Sequence, residues 1–218
     1  MARQHHLAEF GIEDRTYTVE EWQAIERRTG EKFEYHEGRL VSWRMMSGGS
    51  PEHSHIGGNL IGSIFKNLTA SEKLSTCNVY TSDLQLKVPN TAKYVYPDAA
   101  VVCGKPRFDT RIKTAVTNPI VVVEVLSPSS VRYDMGEKFD YYSRLPSLRE
   151  YVLVAQDEYV VEVRSRTKAG GKWAYAFTKS LNDIVRLDAL GIALPMAEVY
   201  RGIGPGEDDA EQGEAVPA

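Results

Sequence analysis

Two acids stand where acids are costly. Ile120-Val121-Val122-Val123-Glu124-Val125-Leu126 is a continuous apolar run broken by one carboxylate, and such runs form strands buried on both faces. An unpaired carboxylate there is expensive or keeps its proton. A basic partner, a hydrogen-bond network or a metal ion must compensate it. Tyr94-Val95-Tyr96-Pro97-Asp98-Ala99-Ala100-Val101-Val102 repeats the anomaly directly after a proline. Pro97 has no ladder donor, so it marks a strand start, an edge or a bulge, and a bulge re-aims a side chain. Two isolated acids on neighbouring buried strands point to one shared site. Like charges raise each other's pKa unless a cation lies between them, and oxygen-only ligation suits Mg²⁺ or Mn²⁺. The plainer alternative pairs each acid with a nearby Arg or Lys. A third acid, Glu34, lies between Phe33 and Tyr35, a pattern that by itself turns it toward solvent.

The elements that hold these acids follow from periodicity and stop signals. Thr18 and Glu21 have capping-box spacing, a helix runs on to about Arg28, and Gly30 stops it. Lys32 to His36 and Arg39 to Met46 are strands joined at Glu37-Gly38. Pro51 opens a second helix after Ser50, with Ile56, Leu60, Ile61, Ile64, Phe65 and Leu68 at helical spacing. Gly57 and Gly58 weaken it and imply close packing against a sheet. Strands follow at Val79 to Val88, Tyr94 to Cys103 and Ile120 to Leu126. Asp134 to Arg144 is a helix with Met135, Phe139 and Tyr142 on one face. Tyr151 to Ala155, Tyr159 to Arg164 and Trp173 to Thr178 are further strands. This order predicts a mixed α/β (α+β) fold, one central sheet flanked by helices.

Tyr96-Pro97-Asp98, followed by Val123-Glu124-Val125-Leu126-Ser127-Pro128-Ser129, resembles the Uma-type restriction endonuclease family of the PD-(D/E)XK nuclease superfamily. Lys32 to Leu40 is similar to that family's "YELIDGEL" hairpin, and Glu52 to Leu60 to its histidine-bearing helix start. Asp134, Lys138, Tyr141 and Glu150 to Val154 resemble its "D…K…Y…EYWLVD" segment, and Leu194 to Tyr200 its closing "LPLAELF". The resemblance spans about residues 17 to 201. It implies a restriction endonuclease-like core with a central mixed sheet, and Asp98 and Glu124 as the acids that bind Mg²⁺ or Mn²⁺. The superfamily places a lysine two residues after the second acid, on the same face of the strand; here that position is Leu126. The resemblance instead implies a cation from the following helix, Lys138. By spacing alone Lys138 is an exposed i,i+4 partner of Asp134. Glu34 matches the family's hairpin acid, which implies a catalytic role as a further ligand or a water-positioning group. His53 matches its helix histidine, with phosphate contact or proton transfer weighed against capping or packing. His55 is expected at the surface.

The implied activity is metal-dependent endonucleolytic hydrolysis of DNA, leaving a 5′-phosphate and a 3′-hydroxyl; RNA is the alternative substrate. Lys105, Arg107, Arg111 and Lys113 lie in a loop-like stretch and are expected to hold the nucleic-acid backbone, unless they are ordinary solvated charge. A fold that binds without cutting and a hydrolase of small phosphoesters are the competing classes. No Cys-x-x-Cys or His-x-x-x-His spacing supports zinc, and no Gly-rich phosphate loop occurs. The 218 residues, 42% hydrophobic and 26% charged, can bury one core, assigned to residues 17–204 after a 1–16 extension. Net charge −4 argues against a strongly basic non-specific binder. Glu207, Asp208, Asp209, Glu211 and Glu214 sit in an acidic tail, 205–218, expected to be disordered; without them the remainder moves from −4 to +1. No apolar run reaches the roughly 20 residues of a membrane span, and the first residues lack a signal peptide's apolar core. A cytoplasmic protein with Cys77 and Cys103 as free thiols is expected. A homodimer would suit double-strand cutting.

Overall fold

The computed structural model describes residues 7–42, 50–71 and 76–204. Helix α1 (Val19–Thr29) begins at the capping box: Thr18 Oγ1 accepts from the Glu21 amide at 3.2 Å, and the Glu21 carboxylate accepts from the Thr18 amide at 2.8 Å. Gly30, at φ 71°, ends it. Strands β1 (Phe33–His36) and β2 (Arg39–Ser42) join through Glu37 at φ 54° and Gly38 at φ 99°, the two left-handed positions of a type I′ hairpin. The expected continuation of β2 to Met46, the first six residues of the N-terminal extension and the acidic tail lie outside the described residues.

Helix α2 (Pro51–Ala70) starts at the N-cap Ser50 and buries Ile56, Leu60, Ile64 and Leu68. Phe65, expected on the same stripe, is 54% exposed. The close approach expected at Gly57 and Gly58 is absent, since a Cβ added at either meets nothing within 4 Å. After α2 come β3 (Cys77–Thr81), β4 (Leu86–Val88), β5 (Lys93–Val95), β6 (Ala99–Cys103) and β7 (Val121–Leu126). Each of the two long strands expected between Val79 and Cys103 is therefore split. The first breaks at a turn in which the Leu84 amide donates to Thr81 O. The second breaks at Pro97, which cannot donate to a ladder.

The next helical segment is α3 (Val131–Tyr133), a π-helical turn (Asp134–Lys138) and α4 (Phe139–Ser143). The widened turn shifts the phase of the expected single helix. Met135 is consequently 41% exposed while Tyr142 is fully buried. Strands β8 (Glu150–Ala155), β9 (Val161–Ser165) and β10 (Ala174–Thr178) follow. A hairpin of β11 (Ile184–Leu187) and β12 (Ile192–Pro195), which the pattern did not reveal, leads into the short α5 (Met196–Val199).

The large sheet has the order β10-β9-β8-β7-β6-β3, and β7 and β8 are its parallel pair. It is thus a central mixed sheet. Its alternation sends Val121, Val123 and Val125 to one face, against α2, and Val122 to the other, against Tyr142 and Leu145. A smaller sheet, β2-β1-β5-β4, packs under α1. Trp22 stacks on Tyr35 there at 5.2 Å and donates its ring N–H to Phe33 O at 2.9 Å. The pairing of β3 with β6 sets Cys77 opposite Cys103, and they form a disulfide. This corrects the expectation of free thiols: strand register, which neither cysteine's neighbours reveal, decides it. No helix among the described residues is long and apolar enough to cross a membrane.

Candidate active site

Asp98 and Glu124 meet because of how β6 and β7 pair. The ladder sets Ala99 opposite Val123, so one step further Asp98 falls opposite Glu124. Pro97 is where the chain passes from the small sheet to the large one, which places Asp98 at the start of β6. Asp98 Oδ2 accepts from the Val125 amide at 2.7 Å. His53 Nε2 lies 3.3 Å from the same oxygen. His53 is held in the first turn of α2, its amide donating to Ser50 Oγ at 3.1 Å; His55 is exposed.

Lys138 is the hub of the cluster. Its ammonium lies 3.0 Å from Glu124 Oε1, 3.3 Å from Asp134 Oδ1 and 3.8 Å from Glu34 Oε1. It also donates to Tyr96 O at 3.3 Å. Lys138 is only 4% exposed, so the surface i,i+4 pairing that spacing alone suggested is replaced by a buried one. The π turn makes this possible, and its displaced carbonyls are satisfied from the sheet. Tyr151 OH donates to Asp134 O at 2.9 Å, and Arg164 Nη1 to Met135 O at 2.7 Å.

Glu34 does not face solvent as its pattern suggested; it is fully buried. The Tyr96 amide donates to Oε1 at 3.2 Å, Tyr133 OH donates to Oε2 at 2.7 Å, and His36 Nε2 lies 2.9 Å from Oε2. Both oxygens are occupied, which fits a positioning acid better than a ligand. Tyr142 OH donates to Glu124 Oε1 at 2.9 Å.

Three carboxylates therefore ring one ammonium, and the charge of Asp98 acts on it as well. Burial pushes the Glu124 carboxyl well above the usual carboxylate range; Lys138 offsets part of this, and Asp134 and Asp98 push it further up. Burial likewise raises Asp134 against the pull of Lys138. At Glu34 burial is outweighed by Lys138, His36 and Tyr133, and the net shift is downward. Burial would lower Lys138, but Glu124, Asp134, Glu34 and Asp98 drive it well above the usual value, so it stays an ammonium. Burial would also lower His53, yet the Asp98 hydrogen bond and charge carry it upward.

The cluster is thus short of positive charge, and Asp134 Oδ1 is buried without a hydrogen bond. An all-oxygen donor set with surplus negative charge fits a hard divalent cation. Among the described residues no three His, Cys, Asp or Glu converge as a complete cage. Mg²⁺ does not need one, because it typically takes one or two carboxylates and fills its shell with water and phosphate oxygens. Asp98 and Glu124 are the pair that would hold it.

Lys105, Arg107, Arg111 and Lys113 are exposed, in the loop that follows β6. Arg111 is committed to Glu20 through Nε at 3.1 Å and Nη2 at 2.8 Å. Sequence reasoning did not assign Asp134, Tyr133, Tyr142 or His36 to the site. Asp134 left two traces, its place four residues before Lys138 and its match to the first acid of the "D…K…Y…EYWLVD" segment. The others become visible only once α4 and β1 are packed together.

A family model described as "Uma2: Putative restriction endonuclease" matches residues 19–197. Two curated proteins of Synechocystis sp. (strain ATCC 27184 / PCC 6803 / Kazusa) are similar. "Uncharacterized protein slr1290" is 33% identical over 84% of this chain and 91% of its own length. "Uncharacterized protein sll1609" is 32% identical over 66% of this chain and 78% of its own. A crystal structure from Anabaena variabilis ATCC 29413, described as "a putative nuclease belonging to DUF820", superposes with a TM-score of 0.61 at 15% identity. That match covers 79% of this chain and 91% of the other, and it establishes the shared fold.

Proposed function

The chain belongs to the Uma2 family, and from that premise we propose that it is a metal-dependent endonuclease that hydrolyses phosphodiester bonds in DNA. The observation that carries this reading is the convergence of Asp98 and Glu124 at paired strand ends, with the Lys138 ammonium 3.0 Å from Glu124. A divalent ion held there supplies charge neutralisation at the phosphate and a lowered pKa for water. Asp98 and Glu124 are pre-set for such an ion by the Val125 amide and Tyr142 hydroxyl that fix their oxygens. Lys138 replaces the lysine missing at Leu126 and stabilises the charge that grows on the phosphate oxygens. It keeps its proton at working pH because carboxylates surround it. Glu34 holds Lys138 from behind, and His53 steadies Asp98. Water adds to phosphorus in line, leaving a 5′-phosphate and a 3′-hydroxyl.

The test is Mg²⁺- or Mn²⁺-dependent cleavage of supercoiled plasmid by wild type, Asp98→Ala, Glu124→Gln and Lys138→Ala. Wild type is expected to cut and each variant to lose about 100-fold or more. Equal cutting by all four would remove the assignment, and an intact but bound plasmid would favour a binding module.

A further inference from the structure

We propose that His36 is the general acid of this reaction, giving its proton to the oxygen that leaves when the phosphodiester is cut; the proposal rests on the nuclease reading above. His36 ends β1, and its Nε2 lies 2.9 Å from Glu34 Oε2 and 3.3 Å from Tyr133 OH. The other Glu34 oxygen faces the Lys138 ammonium at 3.8 Å. His36 and Lys138 thus flank the two oxygens of one buried carboxylate. The ring is also fixed by its neighbours: it stacks on Tyr133 at 6.3 Å and meets Tyr141 edge-on at 5.6 Å.

A carboxylate on one imidazole nitrogen sets the ring's orientation and leaves the other nitrogen to exchange protons. Nε2 is the engaged nitrogen here. Among the described residues Nδ1 makes no hydrogen bond, and the side chain is 13% exposed. The groups around His36 are Glu34 on its own strand, Arg39 and Lys93 as its register partners on β2 and β5, and Tyr133 and Tyr141 on the helical segment; beyond these, Glu137 accepts from Tyr141 OH and Lys138 faces Glu34. Lys93 donates to Tyr141 OH at 3.2 Å and lies over that ring. The other proton donors at the site are committed. Lys138 is held as an ammonium by four acids, and His53 is tied to a metal-binding acid.

A water oxygen bonds to phosphorus and sheds a proton to solvent. The P–O3′ bond breaks, and its electron pair goes to O3′. The His36 imidazolium transfers its Nδ1 proton to O3′, which leaves as a hydroxyl. The neutral ring then regains a proton from solvent.

The test compares two oligonucleotides, one natural and one with sulfur in place of the bridging O3′ at the cut site, because a thiolate leaves without protonation. Single-turnover rates are measured with Mn²⁺ for wild type and His36→Gln. A glutamine amide nitrogen reaches the position of Nε2, so the contact with Glu34 survives. The variant is expected to cut the natural substrate about 100-fold more slowly or worse, and the sulfur substrate within about threefold of wild type. His36→Asn, measured the same way, removes dependence on one substitution. Equal losses on both substrates would overturn the role for His36. Failure of wild type to cut either substrate would instead overturn the nuclease reading, and this proposal with it.

Discussion

Among the described residues, buried carboxylates are of three kinds: those gathered around Lys138, Glu162 paired with Arg164, and Glu150, whose hydrogen bond is to backbone. Glu150 is 2% exposed; Oε1 accepts from the Ala189 amide at 3.1 Å, and Oε2 has no partner. Burial, with the Asp188 charge, pushes its pKa up to about 7 against the pull of the Ala189 and Asp188 amides. The folded state therefore binds this proton more tightly than the unfolded chain. Its stabilising contribution is complete below the ordinary glutamate pKa and is lost as pH rises toward 7, a loss of about 3 kcal/mol at most. Melting from pH 5 to 8 should show wild type losing stability relative to Glu150→Gln, and parallel curves would contradict the assignment. Which acids would matter was partly legible in the sequence. Asp98 and Glu124 stood out because a lone charge in an apolar run has few bland explanations. Glu34 did not, because an acid between aromatics in a short strand has the same pattern whether it faces water or a buried lysine.

At the scale of elements, the π turn is what delivers Lys138, and it stands on a buried pair in β9. Arg164 Nε lies 2.7 Å from Glu162 Oε1, its Nη1 holds Met135 O, and its guanidinium lies over Phe139 at 4.5 Å. Arg164→Ala strands Glu162 and frees that carbonyl, and should cost about 3–5 kcal/mol in urea unfolding. A loss below ~1 kcal/mol would show that the pair is dispensable. In α2, Gly58→Ala fills open space at a helical position and should stabilise by about 0.5–1 kcal/mol; destabilisation would mean that the helix packs there after all. Helices with caps were legible to within a residue or two, as at Thr18 and Gly30. The π turn was not, since a four-residue spacing from Asp134 to Lys138 suits an α-helix equally well. The two split strands were missed for a related reason: apolar alternation carries across a turn without recording a change of sheet.

For the whole molecule, the architecture followed from pattern and the covalent closure did not. Alternating and continuous apolar runs specified a mixed sheet covered by helices, whereas the Cys77–Cys103 bond depended on a β3–β6 register set by the complete fold. A second register, that of β6 with β7, brings Asp98 to Glu124 at the other end of β6. Because the cluster carries more carboxylates than cations, a divalent ion should displace protons on binding, tighten as pH rises and raise the melting temperature. The direct measurement is calorimetric titration of Mn²⁺ into wild type, Asp98→Asn and Glu124→Gln without nucleic acid. Binding by wild type, with proton release, that either substitution weakens at least about tenfold is the predicted result. Equal affinity in all three proteins, or no binding to wild type, would contradict the shared site.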